Sequence, residues 1–317
     1  MQKFLDWLER VLTPLAKVIG ENKYLVAIRD GFLLSTPLLI VGSVFLLIAN
    51  FPLPQWDTWM SHLLGKDWAT MMSVPASASF DVMTILAVVG IAYSLGKQFN
   101  VDAMQAGIIA LVSFFIVTPY QTLFTPENSS KVYEVTSLPL KWMGSSGLFL
   151  GMIVALIATR LFVAIVRKGW TIKMPEGVPP TVVKSFEALI PSFLVVTLMF
   201  LVNWLAALTP YGNLQDVIFE FLQTPLLSLG NTLGAMSIAY LFLHFFWFFG
   251  INGGSVVGAV FNPVLRALSV ENLQAFKDGH EIPNIITGQF QDMFATFGGA
   301  GSTLSLIIRS EEHTSEL

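Results

Sequence analysis

The sequence predicts an all-α, polytopic integral membrane protein, and three features of its 317 residues support that prediction. Apolar residues make up 54% of the chain and charged residues 12%, whereas soluble domains carry roughly 25% charged residues. The mean hydropathy is +0.68. Apolar runs of about 20 residues, the length that crosses a bilayer core, recur along the chain. This composition excludes a disordered chain, a basic nucleic-acid binder and a water-soluble globule with an ordinary surface.

Residues 1–22 predict an amphipathic helix that lies on the membrane surface. Apolar residues such as Phe4 and Leu8 fall on one helical face, and charged residues such as Asp6 and Lys17 fall on the other. A helix that docks on the rest of the protein is the alternative. The segment lacks the continuous apolar stretch and the small-residue cleavage site of a signal peptide.

The chain then contains a series of long apolar runs, which predict about six transmembrane helices. The third run is interrupted near Thr118, which precedes a proline. In the fourth run, Gly147 and Gly151 have the spacing of a close helix contact, although this spacing also occurs on ordinary packing faces. The runs comprise residues 31–51, 80–96, 103–124, 142–166, 186–208 and 226–250.

Two later apolar segments predict re-entrant or discontinuous helices. Residues 251–268 are glycine-rich and contain the pair that begins with Asn262 and continues with proline. Residues 285–308 contain Gln289 and Asp292 together with a run of small residues. Polar, glycine-broken segments at membrane depth are typical of elements that line a cavity. A plain kinked span is the alternative for each.

The distribution of lysine and arginine predicts a cytoplasmic N-terminus, because cytoplasmic segments are enriched in these residues. With the N-terminus inside, the outside segments hold only Lys66, Lys131 and Lys141. The inside segments hold Lys3, Arg10, Lys17, Lys23, Arg29, Lys97, Arg160, Arg167, Lys168, Lys173 and Lys184.

The residue types that carry most enzyme chemistry are missing or scattered. The chain has no cysteine, which excludes disulfides, thiolate metal sites and a phosphocysteine on this chain. Its histidines do not pair at metal-ligand spacing, and no phosphate-binding loop is present. We therefore expect no catalytic residue, no cofactor and no metal. The four histidines are His62, His244, His280 and His313.

A sugar-binding site is predicted around Asn252. This residue follows an aromatic run that includes Trp247, and Gly253 comes next. An aromatic face can pack against a sugar ring, while an amide and an unhindered glycine N–H can bond its hydroxyls. Gln289 and Asp292 are further candidates for sugar contact. The alternatives are a helix C-cap at Asn252 and a core or lipid-facing role for Trp247.

Two stretches resemble signatures of bacterial phosphotransferase-system permeases, in the lactose/cellobiose/diacetylchitobiose family of enzyme IIC components. One runs from Lys173 to Pro191 and begins with the sequence KMPEGVPP. The other covers residues 246–254 and reads FWFFGINGG. Residues 29–32 and the amphipathic N-terminus also fit, and the resemblance extends to about residue 308.

The resemblance implies a permease that binds a disaccharide, cellobiose or a related β-linked sugar, and moves it across the bacterial cytoplasmic membrane. Enzyme IIB then phosphorylates the sugar. The phosphocysteine belongs to IIB and the phosphohistidine to IIA, which agrees with the lack of cysteine here. The implied partners are the sugar, IIB, IIA through it, the lipid bilayer and a second copy of the chain, with no nucleic acid.

The same resemblance predicts the domain organisation. An interfacial helix over residues 1–22 precedes a transmembrane bundle over residues 23–225 that forms the dimer interface. Residues 226–308 begin the sugar-binding domain with its re-entrant segments. Residues 309–317 read like the translation of a sequencing adapter, so we expect an artefactual tail on a truncated chain. A natural polar tail is the alternative.

The sequence departs from the family pattern at two points. Asn252 stands where many members have a histidine, and an amide cannot titrate near neutral pH. The Asn-Glu-Pro motif, whose glutamate is expected near the sugar, does not occur. The stretch from Lys173 to Pro191 is expected either to shape the face where IIB docks or to form a loop followed by a proline-capped helix start.

Two other functions fit the composition. An ion- or proton-coupled secondary sugar transporter would have similar spans, but we find no carboxylate pair within them that could relay protons. A non-functional truncated fragment is the second alternative.

Overall fold

The structure, a computed structural model, describes residues 22–51, 53–124, 132–248 and 253–296. These residues are predominantly helical, which confirms the all-α fold class. The chain divides into two compact units, which are described separately below. One is Asp30–Leu222, and the other combines Met1–Arg29 with Gln223–Leu317. The predicted amphipathic helix of residues 1–22 and the tail of residues 309–317 lie outside the described residues, apart from Asn22.

The first unit is built mainly from long apolar helices, joined by short helices and turns. In chain order its helices are α1 (Lys23–Ala49, entering from the other unit), α2 (Trp56–Leu64), α3 (Trp68–Phe80), α4 (Met83–Gln98), α5 (Ala103–Ile116), α6 (Leu140–Met143), α7 (Leu148–Arg167), α8 (Pro180–Glu187), α9 (Leu189–Ala207) and α10 (Leu214–Ile218). A 3₁₀ turn, Ser145–Gly147, leads into α7, and a π-helical turn, Phe219–Gln223, follows α10.

Several helical stretches are long and apolar enough to cross a membrane. In the described part of the chain these are Lys23–Ala49, Trp68–Gln98, Ser145–Arg167 and Pro180–Ala207. Helix α5, with 14 residues, is apolar but shorter. Residues 214–230 and 233–245 are long and apolar enough to cross a membrane only when the two helices are taken together. The chain bends by 79° at the break between them. The predicted sixth run is therefore interrupted around residues 231–232 and not continuous.

A short β-hairpin replaces the end of the predicted third run. Strand β1 (Gln121–Phe124) pairs antiparallel with β2 (Tyr133–Thr136), and Thr122 lies opposite Val135. Helix α5 ends at Ile116, near the break that the sequence predicted at Thr118. The β-branched and aromatic residues of β2 favour a strand, and the sequence reasoning did not use that signal.

The core of the first unit lies where α4, α5 and α7 pack together. Gly151 on α7 allows that approach, because a Cβ there would lie 2.7 Å from Thr84 Cγ2 and 2.9 Å from Val88 Cγ2 of α4. The close helix contact predicted for Gly151 is thus confirmed. Gly147 instead packs against the carbonyl of Trp142, within the turn that precedes α7.

The second unit contains α11 (Thr224–Gly230), α12 (Leu233–Phe248), α13 (Gly253–Lys277) and α14 (Gly288–Phe290), followed by a π-helical turn, Gln291–Ala295. Helix α13 runs through Pro263 without a break, although the sequence suggested an interruption at Asn262 and its proline. A proline costs one backbone bond, which a well-packed helix can tolerate with a kink. The short turns over residues 288–295 agree with a discontinuous segment.

Candidate functional site

The predicted sugar-contact residues all belong to the second unit, on its helices and final turns. Trp247 lies in the last turn of α12, but its side chain is outside the described residues, as is all of Asn252. Gly253 is the first residue of α13. Gln289 lies in α14 and Asp292 in the π-helical turn, and both side chains are exposed. The described contacts therefore concern mainly Asp292 and its surroundings.

Asp292 belongs to a cluster that brings together three elements of this unit. Its carboxylate is attracted to the guanidinium of Arg266 on α13. The hydroxyl of Tyr240 on α12 lies beside Gln291, Thr296 and the carboxylate. We call these five residues the polar cluster. Because it combines a cation, an anion, an amide and two hydroxyls, it can offer both donors and acceptors to a polyol.

Among the described residues of this unit, the buried polar atoms that lack a well-formed hydrogen bond include the Tyr240 hydroxyl and Oδ1 of Asn262. A buried polar group without a partner costs free energy, and a ligand that supplies the partner recovers it. The Tyr240 ring also contacts His244, with centroids 6.2 Å apart.

A network of amides fixes the segment that carries Gln289 and Asp292. The side chain of Asn284 accepts a bond from Asn231 Nδ2 at 3.0 Å and donates to Glu271 Oε2 at 3.0 Å. The backbone of Asn284 exchanges two bonds with the side chain of Asn272, at 2.7 and 2.9 Å. Asn231 in turn accepts from the N–H of Ile286 at 3.1 Å. These bonds join the end of α11, α13 and the 280–288 segment.

The signature stretch from Lys173 to Pro191 lies in the first unit. Its loop contains Gly177 with φ of 94°, a left-handed conformation that glycine adopts without strain. Helix α8 begins with Pro180 at its first position, where the missing N–H costs nothing. The stretch thus contains a loop and a helix that starts with proline.

Helix α8 is tied to the start of α5 beside a small cavity. Lys184 Nζ lies 3.2 Å from Asp102 Oδ2, and Asp102 is the N-cap residue of α5. The pKa of the Asp102 carboxyl lies below its usual value, mainly because the backbone N–H of Gln105 donates to it. Partial burial acts to raise this pKa, and the nearby Lys184 ammonium acts to lower it. The cavity measures about 270 Å³, and Glu187 and Phe162 also line it.

Comparison with known proteins identifies the family. The profile described as "Phosphotransferase system, EIIC" matches residues 29–310. The chain belongs to the enzyme IIC family of the phosphotransferase system. This IIC protein therefore takes a sugar as its substrate, carries it through a membrane and works with an enzyme IIB.

Relatives of this IIC protein include permeases named for β-linked sugars. It is 38% identical to the cellobiose-specific EIIC component of Geobacillus stearothermophilus, over 97% of this chain and 69% of that one. It is also 38% identical to the oligo-beta-mannoside-specific EIIC component of Bacillus subtilis (strain 168), over 95% of this chain and 67% of that one.

A solved structure has the same fold. It is the transporter ChbC, the IIC component of the N,N'-diacetylchitobiose-specific phosphotransferase system, with a TM-score of 0.91 and 40% sequence identity. The match covers 95% of this chain and 70% of that one. The resemblance drawn from the two signature stretches is thereby confirmed.

The sequence reasoning missed several residues of this IIC protein that the structure brings together. Arg266 could have been recognised from the sequence, because a cation within a largely apolar segment is costly to bury and is commonly functional. Tyr240 and Asn284 could not, because their importance depends on which distant residues they meet.

Proposed function

We propose that this IIC protein binds cellobiose or a related β-linked disaccharide and moves it across the bacterial cytoplasmic membrane, where enzyme IIB phosphorylates it. The single observation that favours this sugar class is the identity of 38% to a permease named for cellobiose. The relatives named for oligo-beta-mannosides and diacetylchitobiose handle β-linked sugars as well. The IIC proteins named for lactose and galactose are less similar, at 27% to 29% identity.

The proposed sugar site comprises Trp247, Asn252, Gly253, Gln289 and Asp292. The attraction between Asp292 and Arg266 supports this assignment, because it holds a carboxylate beside hydrogen-bonding groups. In this site the Trp247 ring packs on the sugar, and the amides and the carboxylate bond its hydroxyls. The Tyr240 hydroxyl, which lies beside Gln291 and Thr296, is a further group that can bond the sugar.

Calorimetric titration of the purified full chain tests the site and the sugar class together. Cellobiose is expected to bind, and the α-linked maltose is expected to bind much more weakly. Asp292→Asn and Gln289→Ala are expected to weaken cellobiose binding by about 10- to 100-fold, as for lost bonds to or from polar groups in a site. Asp278→Asn is the matched control, because Asp278 is exposed and bonds only Gln274 among the described residues. Unchanged affinity in both site variants would contradict the assignment.

The proposed organisation places the N-terminus in the cytoplasm and the dimer interface within residues 23–225, with the sugar-binding domain over residues 226–308. Two observations support it. Lysine and arginine are concentrated in the segments that lie on one side of the membrane when the spans alternate in direction. The boundary between the two compact units, at Leu222 and Gln223, lies close to the proposed domain boundary.

The lack of cysteine makes the orientation simple to test. Lys66→Cys and Lys173→Cys place one exposed thiol at each proposed side of the membrane. A membrane-impermeant maleimide applied to intact cells is expected to label the first and not the second. The reverse pattern would overturn the orientation, and light scattering of the purified protein with detergent subtracted tests the dimer.

The stretch from Lys173 to Pro191 is proposed to form part of the face that docks IIB. Its place at the cation-rich end supports this, because IIB acts in the cytoplasm. Charge reversal at exposed Lys173, as Lys173→Glu, is expected to slow sugar phosphorylation by IIB while cellobiose affinity stays unchanged. A loss of both would argue for a folding defect and against a docking role.

A further inference from the structure

Two guanidinium groups converge on one aromatic ring at the end of α7. The Cζ atoms of Arg160 and Arg167 lie 5.5 and 5.3 Å from the centroid of Phe99. Arg167 Nη2 also donates to the Phe99 carbonyl at 3.1 Å. The two arginines are seven residues apart, about two helical turns, so they share a face of α7. Both side chains are exposed, and we call this pair the arginine clamp.

The arginine clamp has no anionic partner among the described residues. Neither guanidinium forms an ion pair there, and Asp102, three residues beyond Phe99 in the chain, is engaged by Lys184. Contact with the face of the Phe99 ring offsets part of the repulsion between the two guanidinium groups. The ring does not neutralise their positive charges, so the geometry favours an anion bound between or beside the two arginines.

The depth of Arg160 in the span indicates that its anion lies at the level of the lipid headgroups. The stretch Ser145–Arg167 is 23 residues long, about 35 Å as a helix, against about 30 Å for the bilayer core. Arg167 therefore ends the span at headgroup level, while the backbone of Arg160 lies about 10 Å deeper. An unpaired guanidinium at that depth is costly, and a long side chain relieves the cost by reaching toward the headgroups.

The residues just beyond α7 have the character of a membrane interface. Trp170 is 55% exposed, and Lys168 Nζ lies 5.3 Å from the centroid of its ring. Tryptophan and lysine are enriched at the level of the lipid headgroups. The clamp thus faces the place where lipid phosphates lie.

We propose that Arg160 and Arg167, held against Phe99, bind the phosphate of an anionic phospholipid in the leaflet at this end of α7. The planar fork of a guanidinium matches two phosphate oxygens, which a lysine cannot reproduce. An anionic headgroup such as phosphatidylglycerol fits better than a zwitterionic one, because a choline group would bring a third cation to the site. The proposal does not depend on which sugar the protein carries.

Native mass spectrometry of the delipidated full chain, with added phosphatidylglycerol or phosphatidylcholine, tests the proposal. Wild-type protein is expected to retain phosphatidylglycerol about tenfold more strongly, and Arg160→Gln and Arg167→Gln should each reduce that retention about tenfold. Lys168→Gln is the matched control, because it removes a neighbouring cation outside the clamp and should leave the retention unchanged. Arg160→Lys with Arg167→Lys should give an intermediate value.

Two outcomes that need no variant would overturn the lipid site. One is equal retention of the two lipids by wild-type protein. The other is displacement of phosphatidylglycerol by an equal concentration of inorganic phosphate, which would assign the clamp to a free anion. Full retention in the double glutamine variant would also overturn it. Circular dichroism and size-exclusion profiles like those of wild type establish that the variants are folded.

Discussion

Lys184 on α8 lies 3.2 Å from Asp102, the residue that caps α5. The ion pair joins the signature stretch to a helix that lies far earlier in the chain. Asp102 also accepts a hydrogen bond from the N–H of Gln105 at 3.0 Å. One carboxylate therefore serves two purposes, as a helix cap and as an anchor for the start of the Pro180–Ala207 span.

Replacing Asp102 separates these two purposes. Asp102→Ala removes the cap and the ion pair and should lower the free energy of unfolding by about 1–2 kcal/mol. Asp102→Asn keeps a capping oxygen and loses only the charge, so its cost should be under about 1 kcal/mol. Denaturant titration in mixed micelles, followed by tryptophan fluorescence, measures both. Equal costs for the two variants would show that the cap contributes nothing.

The lowered pKa of Asp102 predicts how its contribution depends on pH. A carboxyl whose folded-state pKa lies below its usual value of 3.8 stabilises the fold fully above that value. As the pH falls below 3.8, the unfolded state takes up the proton first, and the contribution disappears as the pH passes the folded-state pKa. The stability difference between wild type and Asp102→Asn should therefore shrink as the pH is lowered from neutral to below 3.8. A difference that is constant over this range would argue against the ion pair.

Helices α1 and α4 meet backbone to backbone at two glycines. A Cβ on Gly31 would lie 2.5 Å from the Ile91 nitrogen, and one on Gly90 would lie 2.5 Å from the Gly31 oxygen. Gly31→Ala should destabilise the protein by about 1–3 kcal/mol because the backbones must separate. Gly107→Ala is the control, since its nearest neighbour would be 3.5 Å away. The better helix propensity of alanine should make that control neutral or slightly stabilising, and thermal unfolding compares the two.

Much of this fold could be predicted from periodicity and hydropathy, because both act over short stretches. The apolar runs located α1, α4, α5, α7 and α9, but they missed α3, which begins the Trp68–Gln98 stretch. The glycine spacing located the contact at Gly151. The β-hairpin was missed because its strands are only four residues long. Arg160 was assigned to an inside segment by its charge, whereas the structure places it within α7. Its partner Phe99 lies about 60 positions away, so sequence alone could not reveal the clamp.

The amide network around Asn284 provides the last prediction. Asn284→Ala removes the bonds that its side chain forms with Asn231 and Glu271, so the free energy of unfolding should fall by about 1–3 kcal/mol. Asn284→Asp should cost more, because it sets a second carboxylate beside Glu271. Cellobiose affinity should fall in both variants, since the network fixes the segment that carries Gln289 and Asp292.

Asn50→Ala is the control for this series, because it removes an exposed amide that bonds one carbonyl of its own helix. Its effect on unfolding should stay within about 0.5 kcal/mol, and its effect on sugar affinity should be nil. Chemical denaturation and calorimetry on the same preparations separate the two readouts. If Asn284→Ala lost stability but bound cellobiose as wild type does, the network would stabilise the fold without positioning the sugar-binding residues. That result would also weaken the proposed roles of Gln289 and Asp292, because their segment would then be free to shift without consequence for binding.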